Sequence, residues 1–118
     1  MLNQTMLMGN LVADPELRTT AAGMPCCRFR IAVSRPKPKD SNTESEADFF
    51  YCVAWNAQAE LAAKWLRKGK QIMVVGSLRN NHYTDADGTK HYSVQIVIRE
   101  LYFTGTKQQE EELLDVPF

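Results

Sequence analysis

Apolar and polar positions alternate with a period of two along most of this chain, in short runs separated by turn signals. Residues 5–12 hold Met6, Leu7 and Met8 with Gly9 beside them. A glycine inside a strand marks a bulge or a close backbone approach. Asp14-Pro15 breaks that run, and Ala21-Ala22-Gly23 reads as a turn. Cys27, Phe29, Ile31 and Val33 then alternate with Arg28, Arg30 and Ala32. That pattern predicts a strand with one apolar and one partly basic face. Residues 35–46, with Pro36 and Pro38, are too hydrophilic for a core and read as a loop.

In residues 49–55, Phe50, Cys52 and Ala54 fall on one face of a strand, and Phe49, Tyr51, Val53 and Trp55 on the other. The first face fills a core. The second carries three aromatics and needs a cover, whether from the chain itself, a second subunit or a ligand. Residues 56–68 form the one good helical pattern. Asn56 stands at the N-cap, Leu61, Ala62, Trp65 and Leu66 make the apolar stripe, and Gly69 is the stop. Residues 71–80 return to strand, with Ile72, Val74 and Leu78 aligned. Asp87-Gly88 is a turn signal, and residues 91–101 answer with Tyr92, Val94, Ile96 and Ile98 aligned. Residues 71–101 thus read as one long hairpin with a polar tip. Five strands with a single helix between the third and fourth predict an all-β chain with one helix. In that order they make an OB-fold, a five-stranded Greek-key barrel, with its long hairpin between the fourth and fifth strands.

Composition narrows the class. At 118 residues the chain holds one domain with a modest core. No stretch approaches the roughly 20 apolar residues that span a bilayer, and Met1-Leu2-Asn3-Gln4 opens no leader pattern. Cys26, Cys27 and Cys52 are an odd number, with two of them adjacent. They read as reduced thiols of a cytoplasmic protein. No Cys/His spacing matches a zinc site, and no cofactor motif is visible. His82 and His91 flank the Asp87-Gly88 turn, where solvent exposure is favoured over a shared metal.

Charge changes the picture more. The chain balances 14 Lys+Arg against 14 Asp+Glu, but residues 1–107 hold all 14 bases and only 10 of the acids. The body is therefore basic, which suits a polyanion. Residues 108–118 hold Glu110, Glu111, Glu112 and Asp115, no base, and close on Val116-Pro117-Phe118. An acidic segment tipped by an aromatic ring suits a basic pocket on another protein. Two units follow: a strand domain over residues 1–107 and an acidic, flexible interaction tail over residues 108–118.

Several segments carry a family resemblance: Met8-Gly9-Asn10-Leu11, Asp14-Pro15-Glu16-Leu17-Arg18, Phe29-Arg30-Ile31-Ala32-Val33, Ala47-Asp48-Phe49-Phe50, Val53-Ala54-Trp55, Leu66-Arg67-Lys68-Gly69 and Val75-Gly76-Ser77-Leu78-Arg79. In this order and at these spacings, with the acidic tail behind them, they resemble the bacterial and phage single-stranded DNA-binding proteins. The resemblance implies an OB-fold homotetramer without enzymatic activity. Such a protein coats exposed single strands and recruits replication, recombination and repair proteins through its C-terminal tip, here Asp115, Val116, Pro117 and Phe118.

The chemistry of the residues agrees. Binding any sequence needs flat rings for the bases and cations for the phosphates. Phe49, Trp55 and Tyr83 match family positions where bases stack; core or subunit packing is the competing role. Arg18, Arg28, Arg30, Arg35, Lys37, Arg67, Lys68 and Arg79 are the expected phosphate contacts, each weighed against a plain solvated charge. The chain departs from the family in three places. Lys37 stands where many members carry an aromatic, Gln4 stands where a base often sits, and Asn80-Asn81-His82 is a less basic run than usual. The long spacer that usually carries the tail is also missing. Eleven residues reach at most roughly 36–40 Å, so the tip is expected to work close to the body. The competing reading is an OB-fold primosome or adaptor subunit whose aromatic face is a protein interface. An enzyme finds no support in paired carboxylates, an activated nucleophile or a phosphate loop.

Overall fold

Six strands and one helix make up the computed structural model, which describes residues 1–36 and 46–104. They are β1 (Thr5–Leu11), β2 (Glu16–Thr19), β3 (Pro25–Ser34), β4 (Ala47–Trp55), α1 (Ala57–Trp65), β5 (Gln71–Thr84) and β6 (Lys90–Phe103). β1 pairs with β5, β5 with β6, β6 in parallel with β4, β4 with β3, and β3 back with β1, which closes a ring. The expected five-strand order with a helix between β4 and β5 is therefore present. β2 is additional. Asp14-Pro15 breaks the first run, and the chain then pairs again with the same strand. β1 lies against Ile31 and Ala32 of β3, and β2 against Pro25 to Arg28. All four β2 residues are exposed, so backbone pairing rather than an apolar face holds them, and alternation gave no sign of this strand.

Ile31, Leu66, Ile72, Ile96, Cys27 and Cys52 are fully enclosed at the centre of the ring. β6 reaches this core with both parities. Ile96 and Ile98 are buried, and Leu101 and Phe103 also pack on the core. The register between β5 and β6 shifts at Val75/Gly76, where Gly76 lies opposite Ile98 and Val75 opposite Glu100. The extra residue, Arg99, is a β-bulge that returns the strand's apolar side to the interior. The hairpin is longer than the pattern suggested, and its outer half leaves the ring as a two-stranded arm. Leu78, Tyr92 and Val94 continue the core-facing rows, yet they are exposed because the arm has no wall behind it. At the other end, Gly9 comes so near Ala32 that a β-carbon would meet its carbonyl oxygen at 2.5 Å. This is the close approach expected of that glycine.

α1 closes one mouth of the ring. Ala59, Ala62 and Leu66 enter the core, while Leu61 is only partly covered. Small alanines let the helix lie close to the strand ends. The helix is shorter than its pattern. Asn56 sits at the N-cap with φ 55° and makes no side-chain capping bond. Its N–H donates to the Pro25 carbonyl and its own carbonyl accepts from Glu60, and these bonds hold a positive φ that is uncommon outside glycine. Leu66 is already extended, so Gly69 lies in the following turn and does not end the helix. The Arg67 guanidinium covers the open end, donating to the Ala63 carbonyl at 2.9 Å and to that of Leu66 at 2.6 Å. No helix of the described residues is long and apolar enough to cross a membrane.

Candidate nucleic-acid interface

Side chains on the outer side of β4 belong to Phe49, Tyr51, Val53 and Trp55, because Phe50, Cys52 and Ala54 point to the core. Register carries this outer face across the neighbouring strands. Arg30 lies opposite Tyr51 and Arg28 opposite Val53. Gln95 lies beside Tyr51 on β6, with Arg79 opposite Gln95 on β5. Further along the arm Ser93 faces Asn81, and His91 faces Tyr83. Direct cross-strand partners share a face, so one surface runs from β3 to the arm.

That surface is concave. A groove of ≈ 630 Å³ lies between β4 and the arm, lined by Arg28, Tyr51, Tyr83, His91, Ser93 and Gln95 among others. Phe49 is 56% exposed, Tyr51 58% and Tyr83 55%, whereas Val53 is buried at 2%. Core packing is therefore not the role of the first three rings. The Arg30 guanidinium lies 5.3 Å from the centre of the Phe49 ring and 5.8 Å from that of Tyr51, within cation–π range. Trp55, half-buried, stands apart at the far end of β4. It forms one wall of a recess of ≈ 170 Å³ with Arg18, Thr19, Thr20, Cys26 and Arg28. Arg28 borders both hollows. On the arm, Tyr83 stacks on His91 with centroids 4.7 Å apart and planes 12° apart.

The expected cations separate into two groups. No ion pair or hydrogen bond occupies the guanidinium groups of Arg28 and Arg79 among the described residues, and Arg30 meets only rings. Arg18 is paired with Glu16, its Nε donating at 2.7 Å. Arg35 grips Asp48 with two nitrogens, at 2.7 and 3.0 Å, and Glu46 with a third contact at 3.0 Å. This holds the Asp48 carboxyl below the usual carboxylate range and staples the base of the 35–46 loop. Arg67 is spent on helix carbonyls. Lys68 lies in the turn after α1, where its backbone N–H donates to Asp14. Lys37 and the tail residues Asp115, Val116, Pro117 and Phe118 lie outside the described residues.

Tyr51 was visible from parity alone as the neighbour of Phe49 and Trp55. Gln95, Ser93 and His91 join the surface only through register, which the alternation of β6 does not give. His82 and His91 are on opposite faces of the arm. His82 meets the edge of Tyr92, and His91 bonds Asp85 at 2.8 Å. Among the described residues no group of three His, Cys, Asp or Glu side chains is placed to hold a metal ion. Cys27 and Cys52 are free and buried, and loss of hydration pushes their thiols up to about 11 and about 12.

Comparison with known proteins adds a family to this geometry. Residues 2–104 match the model of the single-strand binding protein family. The chain is 41% identical over 108 residues to Single-stranded DNA-binding protein 3 of Listeria innocua, covering 92% of this chain and 67% of that one. It is 35% identical over 114 residues to Single-stranded DNA-binding protein 1 of Xylella fastidiosa, covering 95% and 84%. A Clostridium perfringens single-stranded DNA-binding protein is 38% identical over 103 residues, covering 86% and 65%.

Proposed function

This chain belongs to the single-strand binding protein family, and from that premise we propose that its outer strand face holds single-stranded DNA of any sequence. The observation that carries the reading is one continuous surface with exposed Phe49, Tyr51 and Tyr83 beside Arg28, Arg30 and Arg79, around an open groove. Bases stack on the rings, each worth roughly 1–3 kcal/mol with little preference for sequence, and the guanidinium groups take the phosphates. Trp55 receives a further base in its own recess, with Arg28 bridging the two positions. Arg18 borders that recess but is paired with Glu16, and Arg35, Arg67 and Lys68 have smaller parts, because their partners or positions hold them off this surface. Duplex DNA is a poor fit, since its bases hide the π faces that the rings require. The protein binds and releases; no catalytic step is assigned.

Two interactions with proteins complete the proposal. A second copy covers the outer wall of β1 and β5. Met6 and Met8 are exposed there, as is Tyr102 of the adjoining β6, and β1 meets β3 only at Asn10 and Leu11 among the described residues, which leaves its first half free on one edge. Two such contacts per subunit build a homotetramer. The acidic tail, residues 108–118, recruits replication, recombination and repair proteins through Asp115 and Val116-Pro117-Phe118, the ring entering an apolar pocket with basic walls.

Titration with oligo(dT), oligo(dA) and oligo(dC) tests the DNA reading. Tryptophan emission is expected to quench on binding through Trp55, since Trp65 is buried in the core. All three oligonucleotides should bind, and a duplex of equal length should not displace them. Failure to bind any of them, with the aromatic face instead capturing a protein, would favour the adaptor reading.

A further inference from the structure

We propose that His91 is a positioning residue of the DNA face: it braces the Tyr83 ring from beneath, and the turn at the hairpin tip fixes both rings through Asp85. The inference rests on the reading of that face as the DNA site. Tyr83 stands on a two-stranded arm with no wall behind it, so little packing fixes its ring. What the ring does have is a parallel imidazole, 4.7 Å away and tilted by 12°. The imidazole is held in turn, its Nε2 2.8 Å from Asp85 Oδ2. Asp85 Oδ1 accepts the backbone N–H groups of Asp87 at 3.0 Å and Thr89 at 2.9 Å, and the Asp85 N–H donates to the Thr89 carbonyl. One carboxylate thus ties the tip turn to the ring pair. Both rings border the groove. A base laid on the open side of Tyr83 extends a column of base, phenol and imidazole whose far end is anchored to backbone.

Affinity for oligo(dT) is measured at fixed salt and pH. His91→Phe keeps a flat ring under Tyr83 and should bind about as the parent does. His91→Ala should weaken binding roughly three- to tenfold, and adding it to Tyr83→Ala should cost nothing further. The inference is overturned if His91→Ala binds as the parent does, if its cost adds fully to that of Tyr83→Ala, or if His91→Phe binds as poorly as His91→Ala. A parent chain that binds no oligo(dT) overturns the DNA reading and this inference together. One in which Tyr83→Ala weakens binding while His91 variants do nothing overturns this inference alone.

Discussion

At Gly76 a β-carbon would stand 2.1 Å from the Val97 carbonyl oxygen and 2.9 Å from its carbonyl carbon. Both are backbone atoms next to the bulge that returns β6 to the core, and neither can move without breaking the β5–β6 ladder. Gly76→Ala is therefore expected to cost about 3 kcal/mol of stability, read as a lower midpoint in urea, while the exposed Gly88, with open space around it, is not crowded. An unchanged midpoint would mean that the strands do not approach as described. Residue by residue, the pattern along the chain placed the rings well. Parity on β4 put Phe49, Tyr51 and Trp55 on one side because successive side chains of a strand point to opposite faces, although Val53 of that side is buried. It gave the cations poorly. Arg28 and Arg35 look alike in sequence, yet one faces an open groove and the other holds Asp48 and Glu46. That difference depends on contacts between strands, which spacing along the chain does not encode.

Among the elements, the hairpin arm carries the stacked Tyr83–His91 pair beside the groove. Alternation found the arm and its Asp87-Gly88 turn and aligned Leu78 with Ile72 and Val74, but it did not show that Leu78 is exposed. Their parity is indeed shared; what differs is that the ring stops and the arm goes on. β2 was missed for the opposite reason, as it buries nothing. The helix was found but drawn too long, since Arg67 rather than Gly69 closes it. The tail was legible only as chemistry. If residues 108–118 dock partner proteins and their acids compete with DNA phosphates for the body's cations, deletion of residues 110–118 should have opposite effects. Oligo(dT) binding stays the same or tightens, most clearly at low salt where screening is weak, and capture of a helicase, nuclease or recombination mediator is lost. A deletion that sharply weakens DNA binding, or leaves such capture intact, would remove that role from the tail.

For the molecule as a whole, Met6 and Met8 of β1 and Tyr102 of β6 do not line the groove, so assembly and DNA binding need not compete. Static light scattering at micromolar concentration is expected to give a tetramer of the 13.4 kDa chain, and a stable monomer would contradict the proposed use of Met6, Met8 and Tyr102. The central claim is that the strand face around the groove, and not the body's general positive charge, holds the DNA. It predicts a difference between two sets of cationic side chains of equal number and equal charge. For single strands each phosphate contact contributes about 0.7 to the slope of log K against log salt. Oligo(dT) affinity is measured over a salt series for the triple variants Arg28→Ala/Arg30→Ala/Arg79→Ala and Arg35→Ala/Arg67→Ala/Lys68→Ala, with thermal melts to show that each is folded. The first should lose affinity and flatten the slope by roughly 2, and the second should keep nearly the parent slope. Equal losses in the two would show that the DNA follows net charge rather than this face.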